Sequence, residues 1–257
     1  MEKNFFEWVL FFIQGNWQQF LLGTATTLLI SLSGTIIGFF LGLGVSLIQY
    51  TKTDDKSSTL FKGFIKFLKI LISIYITIFR GTPMIVQAMV IFYGLPQLIG
   101  LNLDPLPAAL LIVSINTGAY MAEMIRGGVD SVDPGQLEGA QAIGMSHFQA
   151  MISIIFPQAV RNVLPSIGNE FIINIKDTSV LNVIGVTELF FTSKSIAGSY
   201  AKYYEVFIIT SVIYLFLTFT ISLILKSIEK KIDGPKNFEI LPLQDGNNVV
   251  IKKGEGV

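Results

Sequence analysis

The chain has 257 residues, a formal net charge of zero, 51% hydrophobic residues and only 14% charged ones. A soluble domain carries about 25% charged residues, so this composition points away from a water-borne protein and toward a polytopic membrane protein. The lack of cysteine excludes disulfides and thiolate metal sites, and the neutral balance gives no electrostatic bias toward nucleic acid.

The first residues do not read as a cleaved signal peptide. Glu2 and Glu7 spoil a basic start, the apolar run at residues 5–13 is short, and no small-residue cleavage site follows. Phe5, Phe6, Trp8, Phe11, Phe12 and Trp17 instead predict an amphipathic helix over residues 1–18, lying in the outer membrane interface. A first spanning segment is expected at residues 20–48. Its Gly34, Gly38 and Gly42 recur every four residues, share one face and permit close helix packing.

The second segment, residues 64–95, is too long for one span. Pro83 in Arg80-Gly81-Thr82-Pro83 lacks an N–H, so the helix should kink or break there. The third span is expected at residues 106–125. The fourth, residues 163–189, carries Asn169, Glu170, Asn174, Lys176, Asp177, Thr178, Ser179 and Asn182, and is expected to be bent and partly unwound. The fifth, residues 204–228, is uniformly apolar.

Positive charge orients these spans. Lys52, Lys56, Lys62, Lys66 and Lys69 follow span one. Arg126 and Arg161 flank the connection between spans three and four, and Lys226, Lys230, Lys231 and Lys236 follow span five. These segments are read as cytoplasmic, which puts the N-terminus outside and the C-terminus inside. Lys194 and Lys202, in an external connection, are a mild exception. Residues 233–257 are polar, with Gly and Pro, and are expected to form a poorly ordered cytoplasmic tail.

The half-polar connection at residues 138–157 is the most informative stretch. Glu138, Gly139 and Ala140 are followed by Gly144, then by Ile154 and Pro157. One short helix should end at Gly144, where positive φ is available, and a second should start at a new angle and stop at Pro157. The bend makes a knob that can seat in a cleft of a partner. The spacing resembles the EAA signature of ABC importer permeases, with Gly139 in place of an Ala and Phe156 in place of a Leu. Three further stretches are similar to the polar amino-acid permeases of that group, the histidine, arginine, glutamine and cystine type. They are Phe79-Arg80-Gly81-Thr82-Pro83 with Gln87, Ala119-Tyr120-Met121-Ala122-Glu123 with Arg126-Gly127-Gly128, and Gly168-Asn169-Glu170 with Lys176-Asp177-Thr178-Ser179-Val180.

The resemblance implies an all-α membrane bundle of the type I importer permease kind with about five transmembrane helices. It implies a permease domain over residues 19–232 with a coupling segment at 133–160. It also implies a second permease subunit, identical or homologous, two ATPase subunits inside, and an external substrate-binding protein, in a bacterial cytoplasmic membrane. ATP and Mg belong to those partners, and no cofactor or metal is expected in this chain. In keeping with that, the sequence has no Gly-x-x-x-x-Gly-Lys-Ser/Thr phosphate loop and no nucleophile–base constellation. Glu138, Gly139, Ala140, Gly144, His147, Phe148 and Pro157 are the expected ATPase-coupling residues, with His147 read as an exposed side chain of the knob.

Arg80 lies about 15 Å along the helix from Lys69, at a depth where an ionisable side chain faces a cavity or a partner. Its planar fork suits a substrate carboxylate, and an ion pair with Glu123 or Asp177 is the other reading. Glu170, Asn174 and Asp177 fall at i, i+4 and i+7 on one stripe, expected to face the translocation path. Glu170 suits an ammonium, with a structural pair to Lys176 or Arg161 as its alternative. Gln87, Asn169, Thr178 and Ser179 complete the candidate substrate set, although Asp177, Thr178 and Ser179 are read chiefly as shaping the unwound helix. Import of polar amino acids, cationic ones first, is the expected function. Neutral polar amino acids or cystine, and ion-coupled secondary transport, are the alternatives.

Overall fold

A computed structural model describes residues 3–51, 58–232, 238–240 and 251–253 of the chain. Lys52, Lys56, Lys236 and most of the expected tail lie outside the described residues.

Helix α1, Phe5–Tyr50, runs 46 residues without interruption. The Asn4 side chain accepts from the Glu7 N–H and the Glu7 carboxylate accepts from the Asn4 N–H, both at 2.9 Å, so two otherwise unpaired donors are satisfied at its start. The helix therefore includes the whole of residues 5–18 and the first span. The boundary expected near residue 18 does not coincide with a helix end: the turn-prone pair Gly15-Asn16 stays helical, with Asn16 Nδ2 donating to the Phe12 carbonyl at 3.3 Å. At about 1.5 Å per residue α1 is ~69 Å long, more than twice a hydrocarbon core of ~30 Å.

Helix α2, Thr59–Gly81, and helix α3, Met84–Ile99, are the two halves of the long second segment, separated at Thr82 and Pro83 as the sequence predicts. Helix α4 spans Pro105–Asp130. Helix α5, Pro134–Ala142, and the one-turn α6, His147–Ala150, make the knob. A π-helical turn, Met151–Ile155, leads from α6 into α7, Phe156–Asp177, which tightens into a 3₁₀ stretch at Thr178–Ile184. Helix α8, Leu189–Tyr200, follows Gly185 at φ +81° and had no counterpart in the sequence reading. Helix α9, Tyr203–Ile232, closes the bundle, and a three-residue antiparallel pair joins β1, Phe238–Ile240, to β2, Ile251–Lys253. The all-α bundle thus carries one short strand pair in its tail.

Pro157 does not stop the second knob helix. It sits in the first turn of α7, directly after the π turn. Proline forfeits one ladder bond and crowds the preceding turn, and the wider turn absorbs that loss. The fourth spanning segment therefore starts ten or more residues earlier than expected, with His147–Ile184 as one apolar run of helix.

Among the described residues, four helices are long and apolar enough to cross a membrane: α1, α4, the run His147–Ile184, and α9. Their outward faces expose large apolar side chains, Leu22, Phe40, Leu215, Phe216 and Phe219 among them. Such a surface suits hydrocarbon and not water.

The core is organised by α1 against α4. A Cβ added to Gly34 would lie 2.4 Å from Val113 Cγ1, one on Gly38 2.7 Å from Thr117 Cβ, and one on Gly42 2.7 Å from the Ala122 backbone nitrogen. Both backbones thus approach as closely as glycine allows, and the seam predicted from the four-residue period is real. Around it, Ile30, Ala109, Ile112, Leu181 and Val186 pack at one end. Ile125, Met151, Ile155, Phe156 and Ala159 pack at the knob end. Gly42→Leu should drive a branched side chain into backbone and cost at least the ~1–3 kcal/mol typical of overpacking. Gly44, with no atom within 4 Å of an added Cβ, should accept Ala. Thermal unfolding in detergent checks the pair; equal midpoints would contradict the seam.

Candidate functional site

Gly144 has φ +89°, a conformation that side chains other than glycine's rarely adopt. It ends the first knob helix, and Ser146 starts the second. The Ser146 hydroxyl accepts from the Gln149 N–H at 3.3 Å, and the Gln149 carboxamide accepts from the Ser146 N–H at 2.9 Å. The hinge leaves Ile143 78% and Phe148 61% exposed. Glu138 and Gly139 also face outward, while Ala140 is buried beneath them. An added Cβ at Gly139 would meet nothing within 4 Å, so the departure from Ala at this position has no steric cause.

His147 is half-buried, not an exposed knob residue as expected. Its Nε2 lies 3.0 Å from the Tyr50 carbonyl oxygen. A carbonyl only accepts, so Nε2 carries the proton, and His147 ties the knob to the end of α1. A cavity of about 200 Å³, lined in part by Leu47, Thr51, Phe148 and Phe156, lies beside this tie.

The second group of residues surrounds the break between α2 and α3. The broken helix releases backbone carbonyls that need donors. Gln87 Nε2 lies 2.9 Å from the Phe79 carbonyl oxygen and 2.8 Å from that of Thr82, and donates to them. The Thr82 hydroxyl donates to Ile78 at 2.8 Å. Asn116 on α4 donates to Gln87 Oε1 at 2.8 Å. Gln87 is therefore a buried cap of the break. Asn116, an isolated amide within an apolar run, was missed by the sequence reading although that isolation is itself a signal.

Asn174 is 2% exposed and wedged between helices. Its Nδ2 donates to Thr35 Oγ1 at 2.9 Å and to Thr117 Oγ1 at 3.0 Å, so α7 is knotted to α1 and α4. The polar stripe of α7 thus divides. Asn174 is consumed by neighbouring helices, whereas Asn169, Lys176 and Asp177 are exposed. Glu170 is 5% exposed and has no hydrogen bond among the described residues. Thr178 is buried with its hydroxyl donating to Ile175 at 2.9 Å, and Ser179 accepts from Asn182 at 2.7 Å through its carbonyl. Both shape the 3₁₀ stretch.

Arg80 reaches along α4. Its Nη1 lies 3.8 Å from Glu123 Oε2, and its guanidinium carbon lies 5.6 Å from the Tyr120 ring centre. Of the two partners weighed from sequence, Glu123 is the one found. Glu123 is also held by Arg126, whose Nε lies 3.0 Å from Oε1. Glu188 was not anticipated at all. It is fully buried and caps α8, accepting from the Phe190 and Phe191 N–H groups at 2.9 and 2.7 Å and from the Tyr214 hydroxyl at 3.1 Å.

Residues 57–234 match the family model described as binding-protein-dependent transport system inner membrane component. The chain belongs to this family. It is 36% identical over 210 residues to the arginine transport system permease protein ArtQ of Bacillus subtilis, covering 82% of this chain and 90% of that protein. It is 37% identical over 210 residues to the glutamine transport system permease protein GlnP of Escherichia coli, covering 81% and 90%. A crystal structure of an amino acid ABC transporter with histidines superposes with TM-score 0.76 at 35% identity, covering 90% of this chain and 100% of that one. A chain of the MetNI methionine ABC transporter shares the fold, with TM-score 0.67 at 18% identity. The all-α importer-permease bundle expected from the sequence is the fold of this family.

Within this permease the helix break depends on Gln87. Gln87→Leu should leave the Thr82 carbonyl without a donor and the Phe79 carbonyl with only Asn116 Nδ2, at 3.3 Å, a cost of ~1–3 kcal/mol for the unsatisfied group. A lowered unfolding midpoint in detergent is the expected outcome, and an unchanged midpoint would remove the capping role.

Proposed function

We propose that the chain is the membrane-spanning subunit of an ATP-driven importer of polar amino acids, working by alternating access. The observation that carries this is the knob: two short helices hinged at Gly144, with Ile143 and Phe148 presented outward and His147 tying the second helix to α1. Such an apolar, exposed protrusion is built to enter a cleft. The family's dependence on a binding protein supports the rest of the assembly. In this reading a second permease subunit, two ATPase subunits holding ATP and Mg, and an external binding protein complete it. Hydrolysis belongs to the ATPases and not to this chain. The chain sits in the bacterial cytoplasmic membrane. Lys62, Lys66, Lys69, Lys226, Lys230 and Lys231 lie on the inner side with the knob, the N-terminus outside and the C-terminus inside. Residues 133–160 form the coupling segment.

Arg80 takes the substrate carboxylate, and Glu170 an ammonium, with Asn169 and Asp177 as exposed neighbours on the path. A buried carboxylate with no hydrogen-bond donor favours a cationic substrate. The arginine permease among the relatives supports that preference, while the glutamine permeases favour a neutral polar amino acid as the second reading. An ion-coupled secondary transporter would leave the knob without a purpose.

A β-branched residue at Gly144 is strained by ~1–3 kcal/mol. Gly144→Val should therefore cut uptake by about tenfold or more in vesicles containing the whole assembly, while insertion is retained. Normal uptake and normal co-purification of the ATPase would sink the coupling role.

Glu170→Gln keeps the shape and removes the charge. Uptake of arginine and histidine should fall several-fold more than uptake of glutamine or cystine. Equal losses would demote Glu170 to a general ammonium contact, and no loss would move the site elsewhere.

A further inference from the structure

A continuous run of polar contacts joins the break in the membrane to the knob. Arg80 meets Glu123 at 3.8 Å, and Glu123 holds Arg126. Arg126 Nη1 lies 2.7 Å from Asp130 Oδ2. The Tyr50 hydroxyl donates to Asp130 Oδ1 at 2.7 Å and reaches the Arg126 carbonyl oxygen at 3.2 Å. The Tyr50 carbonyl in turn holds His147 of the knob. Helices α2, α4, α1 and α6 are linked in that order, and the chain lies along the last two turns of α4.

We propose that Glu123, Arg126, Asp130 and Tyr50 are positioning residues that transmit the occupancy of Arg80 to the knob. The proposal rests on the reading of Arg80 as the carboxylate ligand. The 3.8 Å contact is the loosest joint of the chain, and both partners are partly exposed, at 40% and 29%. A substrate carboxylate competes directly with Glu123 for the guanidinium, since a fork binds one carboxylate bidentately. Glu123 then keeps only Arg126. Arg126 divides its donors differently between Glu123 and Asp130, and Asp130 is the group that fixes Tyr50. Each exposed pair is weak alone. The chain therefore selects between nearly equal arrangements and does not lock one. Linkage is reciprocal, so a knob displaced from the ATPase side changes the availability of Arg80 by the same factor.

The chain contains no cysteine, so introduced labels are unambiguous. Gly44 and Gly139 both have open space around an added Cβ. Spin labels at Gly44→Cys and Gly139→Cys, in the full chain in lipid nanodiscs, report the knob's position relative to α1. Glu123→Gln should shift or broaden the distance distribution. The change should vanish when Tyr50→Phe is already present; that variant keeps the ring against Phe156, 6.2 Å away. Asp130→Asn serves the same comparison if Glu123→Gln gives no folded protein. An unchanged distribution, or an equal change in both Tyr50 backgrounds, overturns the proposal. This readout needs neither ATPase nor transported amino acid, so failure of the transport reading would appear separately, as absent uptake with a responsive knob. In the complete transporter, Tyr50→Phe should lose about fivefold or more of substrate-stimulated ATP hydrolysis with unstimulated hydrolysis intact. Equal loss of both activities would also overturn it.

Discussion

The seam between α1 and α4 is the constraint on which the other contacts depend. Hydrocarbon does not push apolar helices together, so association in a bilayer relies on close packing and on hydrogen bonds between helices. Gly34, Gly38 and Gly42 supply the first by letting the α4 backbone approach to the limit. That approach brings Thr117 of α4 and Thr35 of α1 near enough for Asn174 to bridge both. A seam wider by one methyl group would leave the amide short of its partners. It would also separate Ser46 from the Ala122 carbonyl, a 3.1 Å contact at the knob end of the same seam.

The break at Pro83 depends on the same frame. Irregular backbone at membrane depth persists only where its polar groups find partners. Gln87 supplies donors from α3, but Gln87 is itself oriented by Asn116, which α4 carries. Tyr75 adds a second tie, its hydroxyl donating to the Ile115 carbonyl of α4. The position of Arg80 is thus inherited from α4 through the cap of the break. Of the amides read from the sequence as substrate contacts, Gln87 and Asn174 are hydrogen-bonded within the scaffold that carries Arg80 and Glu170, while Asn169 is exposed.

What could be read from the sequence follows from the range of the interaction. The glycine seam, the break at Thr82 and Pro83, the positive φ of Gly144 and the tightening at Thr178–Ile184 are local signals, carried by residue type and spacing over a few positions. Helix ends were less legible where hydropathy changes and the backbone stays helical. Residues 5–18 differ in character from the first span and still continue into it. Pro157 looked like a terminus because a proline ordinarily is one; only the preceding wide turn shows how the helix passes it. The unanticipated roles belong to long-range partners. Glu188 finds Thr27 161 positions away, and Asn174 finds Thr35 139 positions away. No local pattern announces such meetings.

The π turn at Met151–Ile155 has a consequence for how the knob and α7 are phased. Such a turn is equivalent to one residue inserted into an α-helix. One residue corresponds to about 100° of rotation. The face of α6 that presents Phe148 is therefore set independently of the face of α7 that carries Glu170 and Asn174, although one run of helix contains both. Straightening that turn into regular α-helix without removing a residue would swing the knob by about 100°, a little more than a quarter of a turn, whereas deleting one residue there would keep the two faces in their present phase. The wide turn takes up one residue between the knob end and the membrane end of a rod, so Phe148 and Glu170 lie on faces that a regular helix of the same sequence would place about 100° differently.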